Sequence, residues 1–216
     1  MTEVVSLSCF MEALMPRAPT IPNPPAWTAP SAPAQVGGVP FAPAASGAVY
    51  WPIRTTDRRG REVNYEEGDG DIVTSNASRR FMAPRGGGAR HHAGVDLWGK
   101  ASEIIRACES GTIVNFYHFY LGTYALLIQC DSGIVINYGE VAPDSLIQFG
   151  LNVGSKVNAG DKIGRVGLMS SGSQMCHFET YISGTIQNSS WKAHKPRPPS
   201  LLNPTQYLID LAARGS

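Results

Sequence analysis

Residues 111–141, GTIVNFYHFYLGTYALLIQCDSGIVINYGEV, read as three strands in succession: Gly111–Phe116, Tyr124–Cys130 and Gly133–Val141. Working outward, Ser102–Cys108 precedes them as a strand. Val153–Lys162 holds two turns, and Ile163–Leu168 and Met175–Ile182 follow as strands. Upstream, Val49–Arg54 reads as a first strand, and Asp69-Gly70 separates Arg61–Tyr65 from Asp71–Thr74 as a hairpin. Pro84-Arg85-Gly86-Gly87-Gly88 is a loop with little intrinsic structure. Strands recurring every ~8–12 residues predict an all-β fold, two antiparallel sheets forming a half-barrel or sandwich with a groove. The 23 glycines and 16 prolines among 216 residues agree with a turn-rich chain. One helix is expected near the end, with Asn203 as its cap, Pro204 at its first position and Gln206–Ala213 supplying its turns.

Composition excludes several classes of function. A net charge of +1 gives no long-range field for nucleic acid. No apolar run approaches the ~18 residues of a membrane span. The cysteines Cys9, Cys108, Cys130 and Cys176 form no C-x-x-C pair, so they signal neither a cysteine zinc site nor a redox dithiol. Pairing of Cys108 with Cys130 across neighbouring strands stays open.

Residues 1–47 differ from the remainder. They hold nine of the sixteen prolines but only three charges, Glu3, Glu12 and Arg17. Such a stretch favours extended chain without its own core. It divides the chain into a proline- and alanine-rich arm, 1–47, and a domain, 48–216. The apolar residues Val4 to Met15 are interrupted by Glu12 and preceded by Glu3, which does not fit an export signal. The expectation is a protein made in the cytoplasm, with an arm that docks on another protein.

Two short motifs carry chemistry. His92-Ala93-Gly94-Val95-Asp96 places an imidazole and a carboxylate four positions apart. In Met175-Cys176-His177-Phe178-Glu179, read as a strand, Met175, His177 and Glu179 share one face, while Cys176 and Phe178 suit a core on the other. His91 is a second candidate ligand beside His92.

Together these motifs resemble the lysostaphin/LytM-type zinc metallopeptidases, which cut the peptide part of bacterial cell wall. The family pattern begins H-x-G-x-D and ends H-x-H followed by F-E. Gly111-Thr112-Ile113-Val114 resembles the family's G-x-V strand, and Val153 to Gly164 resembles its V-x-x-G-x-x-I-G hairpin. The resemblance covers roughly Trp51 to Ile182. It implies one zinc ion per chain, held by His92, Asp96 and His177; His91 does not keep the family spacing to Asp96. Two imidazoles and a carboxylate leave a fourth position for water, as a catalytic zinc requires.

The chain departs from the pattern at two helper histidines. Met175 stands at the first His of H-x-H, and Tyr138-Gly139-Glu140 puts Glu140 where the family closes a Y-x-H segment. Met175 cannot transfer a proton. Glu140 is therefore expected to act as general base, as a glutamate does beside zinc in the unrelated H-E-x-x-H peptidases. Tyr138, two residues away on the same strand, is expected to face the groove and donate to the developing oxyanion; His118 and His194 are further candidates to reach in. The aromatic run Phe116–Tyr120 is a candidate groove wall. Arg79, Arg80, Arg85 and Arg90 are candidates to contact carboxylates of a stem peptide.

The expected function is zinc-dependent hydrolysis of amide bonds in peptidoglycan, with the stem peptide as substrate. The arm would attach the protein to a phage tail, baseplate or injection particle, which carries it to the cell wall. The alternative is a catalytically inactive zinc-binding structural or wall-binding component of such a particle.

Overall fold

The structure is a computed structural model that describes residues 40, 42–43, 47–54 and 77–214. Most of the arm lies outside those residues, as does the hairpin expected at Arg61–Tyr65 and Asp71–Thr74. In chain order the strands are β1 (Pro84–Arg85), β2 (Arg90–His91), β3 (Val95–Trp98), β4 (Ile104–Arg106), β5 (Gly111–His118) and β6 (Tyr124–Cys130). They continue with β7 (Ile134–Val141), β8 (Lys156–Val157), β9 (Lys162–Arg165), β10 (Met175–Ile182), β11 (Trp191–Lys192) and β12 (Leu201–Leu202). Two helices accompany them, α1 (Ser145–Gln148) and α2 (Thr205–Arg214). The described fold is all-β, with antiparallel sheets that do not close into a barrel.

The largest sheet runs in the order β12-β10-β7-β6-β5-β8, and β3 pairs with the first half of β10. Its centre is a meander, in which β5, β6 and β7 each pair with the next antiparallel strand. The middle strands lack the polar alternation of a half-exposed sheet. Every residue of β7 is buried, and so are Ala125 to Ile128 in β6. Both faces of these strands are thus covered. Two smaller sheets complete the domain, β4-β9 and the three-stranded β1-β2-β11.

One face of the main sheet builds the core. Tyr138 packs edge-on against Phe178, and Phe178 stacks on Tyr207 of α2. Cys176 and Phe178 are fully buried there, as strand alternation predicts. Helix α2 begins where the sequence places it. Asn203 Oδ1 accepts from the Thr205 amide at 3.0 Å, and the Leu208 amide bonds to the Pro204 carbonyl. Cys108, Cys130 and Cys176 are free, buried thiols.

Val49–Arg54 is not a strand. Trp51 and Ile53 are buried, but the segment makes only two backbone bonds to its neighbour, Tyr50 amide to Cys108 carbonyl and Arg106 amide to Pro52 carbonyl. Pro52 has no N–H, so a continuous ladder cannot run through it.

The second departure lies at the end of β7. Tyr124 pairs with Val141 and Leu126 with Tyr138, so β7 carries one residue more than β6 across this step. Glu140 adopts φ +61° inside this bulge. That left-handed conformation costs a non-glycine residue about 1–2 kcal/mol. It also re-aims the side chain, which decides how the site is built.

Candidate metal centre

Three strands deliver the site. β10 pairs with β3 on one side and with β7 on the other, so His177 lies between Asp96 and Gly139. Because opposed residues share a face, Asp96 and His177 point the same way, away from the Tyr138–Phe178 core. Gly139 is needed opposite His177. A Cβ there would come within 3.1 Å of the His177 ring and 3.0 Å of Phe119. Gly94, midway between His92 and Asp96, is needed more strictly, since a Cβ would collide with the Phe178 carbonyl oxygen.

His92, Asp96 and His177 are all buried, with ligand atoms within 4.8 Å of one another. His92 Nε2 lies 3.0 Å from Asp96 Oδ1 and 3.2 Å from His177 Nδ1. His177 Nδ1 is 2.7 Å from Asp96 Oδ1. The remaining ring nitrogens are engaged outside the cluster. His92 Nδ1 donates to the Arg80 carbonyl at 2.7 Å, and His177 Nε2 donates to Glu179 Oε1 at 2.9 Å. Those outer bonds fix both tautomers and turn two nitrogen lone pairs toward Asp96 Oδ1. Three acceptors in contact require a proton or a cation among them. Two imidazoles and a carboxylate, buried and held by an outer shell, fit a divalent zinc ion.

Glu179 is itself anchored. Its Oε2 accepts from Asn137 Nδ2 at 2.6 Å and from the Tyr181 hydroxyl at 3.0 Å. Arg85 Nη2 donates to Asp96 Oδ2 at 2.9 Å, leaving Oδ1 turned to the histidines. The electrostatics follow from these contacts. Burial disfavours charge on His92 and holds its pKa below the ordinary imidazole value, against the pull of Asp96. Burial alone would raise Asp96, but the adjacent His92 and His177 imidazoles hold it well below the carboxylate range. His177 is raised despite burial, because Glu179 and Asp96 face it from both sides. Burial likewise opposes ionisation of Glu179, yet His177, Asn137 and Tyr181 keep it low.

Glu140 borders the same cleft and is 7% exposed. Burial pushes its pKa up to about 7, with His177 drawing it down and Asp96 adding to the rise. Among the described residues its Oε2 has no hydrogen-bond partner. A carboxylate that is buried, unpaired and near neutrality is poised to exchange a proton with something in the cleft.

Tyr138 does not join it. Simple alternation puts Tyr138 and Glu140 on one face, but the bulge between them breaks that rule. Tyr138 is fully buried in the core, and its hydroxyl accepts from the Cys108 amide at 2.8 Å. The expectation that Tyr138 faces the groove is therefore corrected. His91 packs at a tilt against Trp191 rather than entering the cluster. His118 is exposed and packs against Tyr124, and His194 is exposed; neither lines the cleft. Of the aromatic run, Phe119 and Tyr120 do line it, and the Phe119 ring stacks on His177. Met175 sits beside Arg79, whose guanidinium lies 3.6 Å above the Trp98 ring.

Sequence reasoning did not assign roles to Glu179, Asn137 or the Arg80 carbonyl. Glu179 carried a signal, being two residues from His177 on the same strand face. Asn137 and the carbonyl carried none, because their roles arise from cross-strand register and loop path.

Residues 90–189 match the model of Peptidase family M23. No curated protein matches the chain. Among solved structures it is similar to the antimicrobial peptidase lysostaphin from Staphylococcus simulans, with 23% identity, 61% of this chain and 47% of that chain covered, and a TM-score of 0.46. It is similar to CbpA from L. salivarius REN at 17% identity, with 77% of this chain and 97% of that chain covered and a TM-score of 0.47. A zinc-containing peptidase from Vibrio cholerae matches at 20% identity over 50% of this chain and 31% of that one, with a TM-score of 0.37. The chain thus spans under half the length of the Vibrio and Staphylococcus proteins.

Proposed function

We propose that this chain, whose residues 90–189 belong to peptidase family M23, is a zinc endopeptidase that cuts amide bonds in the peptide part of bacterial peptidoglycan. The observation that carries the reading is the convergence of His92 Nε2, His177 Nδ1 and Asp96 Oδ1, with both outer ring nitrogens already engaged. Held by these three atoms, a zinc ion would supply a Lewis acid for the scissile carbonyl and would make water acidic enough to attack near neutral pH.

The chain's own groups do the rest. Glu140 takes a proton from the attacking water and returns it to the leaving amine, which a carboxylate with a pKa of about 7 can do in both directions. Glu179 holds His177 in the tautomer that leaves Nδ1 free. Arg85 holds Asp96 Oδ2 and so orients Oδ1. Phe119 covers one face of the His177 ring and limits water there. Residues 1–47, rich in proline and poor in charge, would attach the domain to a phage tail or injection particle; a chain lacking 1–47 should keep zinc and lose that association.

The test is elemental analysis of the purified protein followed by mass spectrometry of digested peptidoglycan. The expected result is about one zinc per chain and new peptide termini. Zinc without cleavage on walls of several chemistries would move the protein to a wall-binding or structural role. No zinc after reconstitution would remove the ligand assignment.

A further inference from the structure

The small sheet β1-β2-β11 aligns three cations. Arg85 is the cross-strand partner of Arg90, and Arg90 is the partner of Lys192. Directly opposed residues of antiparallel strands share a face, so Arg85, Arg90 and Lys192 form a row across the sheet. Arg85 marks its inner end, bonded to Asp96 at the metal cluster. Arg90 lines the same cleft and is exposed, and exposed Lys192 continues the row outward. Among the described residues Asp96 is the one carboxylate that forms an ion pair with any of the three.

Like charges placed opposite one another destabilise a sheet. Here strands of only two residues carry that arrangement, in a chain whose net charge is only +1. The row is thus a local feature rather than the overflow of a basic protein. The row starts at the cluster with Arg85 and ends at the exposed Lys192. Ser189 and Ser190 line the cleft next to β11 and bring two hydroxyl groups to it.

We infer that the Arg85–Arg90–Lys192 row is the binding rail for a peptide carrying a free carboxylate beside the scissile amide, and that it selects acidic over amidated stem peptides. The inference rests on the peptidase reading for the place of the scissile bond, whereas the charge preference stands on the row itself. Arg90 and Lys192 would meet the carboxylate, Arg90 by a charge-assisted and potentially bidentate pair. Arg85, committed to Asp96, would contribute field rather than a contact.

The probes are two synthetic stem tetrapeptides, L-Ala–γ-D-Glu–L-Lys–D-Ala with free carboxyl groups and the same peptide with both carboxyl groups amidated. Affinity for the zinc-loaded full chain is measured by calorimetry on the Glu140→Gln variant, which separates binding from turnover. The free-acid peptide should bind about tenfold more tightly, and the difference should shrink on raising salt from ~50 to ~500 mM. The Arg90→Ala/Lys192→Ala double variant should abolish the preference while zinc content stays unchanged. An Arg90→Lys variant should restore part of it. Equal binding of both peptides by the parent chain, or a preference that survives the double variant, would overturn the inference. Preferential binding with no hydrolysis by the wild type would instead overturn the peptidase reading and leave the rail standing.

Discussion

The His92–Asp96–His177 cluster and the cationic row lie side by side yet are built in opposite ways. His177 sits on an eight-residue strand paired on both edges, and each of its ring nitrogens has a fixed partner. The row sits on strands of two residues next to a loop of three consecutive glycines, Gly86 to Gly88, all with positive φ. The contrast separates two tasks. A metal site needs ligand atoms held to a fraction of an ångström, which buried register and an outer shell provide. Long cationic side chains above an open cleft tolerate imprecision, because charge attraction falls slowly with distance.

The hardest test of this contrast is His177→Ala. It should reduce zinc from about one per chain to near zero and abolish hydrolysis, as read by elemental analysis and peptide release. It also strips Glu179 of its imidazole partner, so thermal stability should fall by about 3 kcal/mol.

Glu140→Gln comes next. Hydrolysis should drop by about 10²–10⁴-fold with zinc retained. If Glu140 is the base, the wild-type rate should decline as pH falls below about 7, because a carboxyl accepts a proton only when ionised, and the variant should lose that limb. The sign for stability is opposite. Folding raises the Glu140 pKa from 4.5 to about 7, so its penalty grows as pH rises between those values and is complete above pH ~7. Glu140→Gln should therefore melt no lower than wild type at pH 8.

A smaller effect probes the outer shell. Glu179→Gln should weaken zinc binding by about 10–100-fold, measured by competition with a chelator. The smallest compares backbones in the two regions. Gly94→Ala, where a Cβ meets the Phe178 carbonyl, should cost about 1–3 kcal/mol in denaturant unfolding. Gly87→Ala, with open space around it and φ +65°, should cost about 1 kcal/mol and leave zinc affinity unchanged.

Much of the architecture was legible in one dimension. Tyr124–Cys130 and Met175–Ile182 are strands with the bounds read from the sequence, and helix α2 starts at the Asn203-Pro204 signal, because turn chemistry, capping and hydrophobic runs are local properties. Alternation likewise put Cys176 and Phe178 in the core and His177 on the opposite face. The family resemblance carried by the motifs at His92–Asp96 and Met175–Glu179 implied the cluster that the fold brings together.

What the sequence could not carry is whatever depends on two segments at once. Pro52 sits in a buried segment that looks like a strand, but with no N–H it cannot carry a continuous ladder to its neighbour. Tyr138 and Glu140 are two apart, so alternation assigns them one face; only the pairing with β6 shows the extra residue that sends Tyr138 to the core and Glu140 to the cleft. The outer bonds to Glu179, Asn137 and the Arg80 carbonyl, and the row from Arg85 to Lys192, are likewise products of register. The sequence by itself determined which residues are able to bind metal, pack or turn. The tertiary structure decided which of them meet, because strand pairing, bulges and loop paths are set by the packing of the whole sheet rather than by any local stretch.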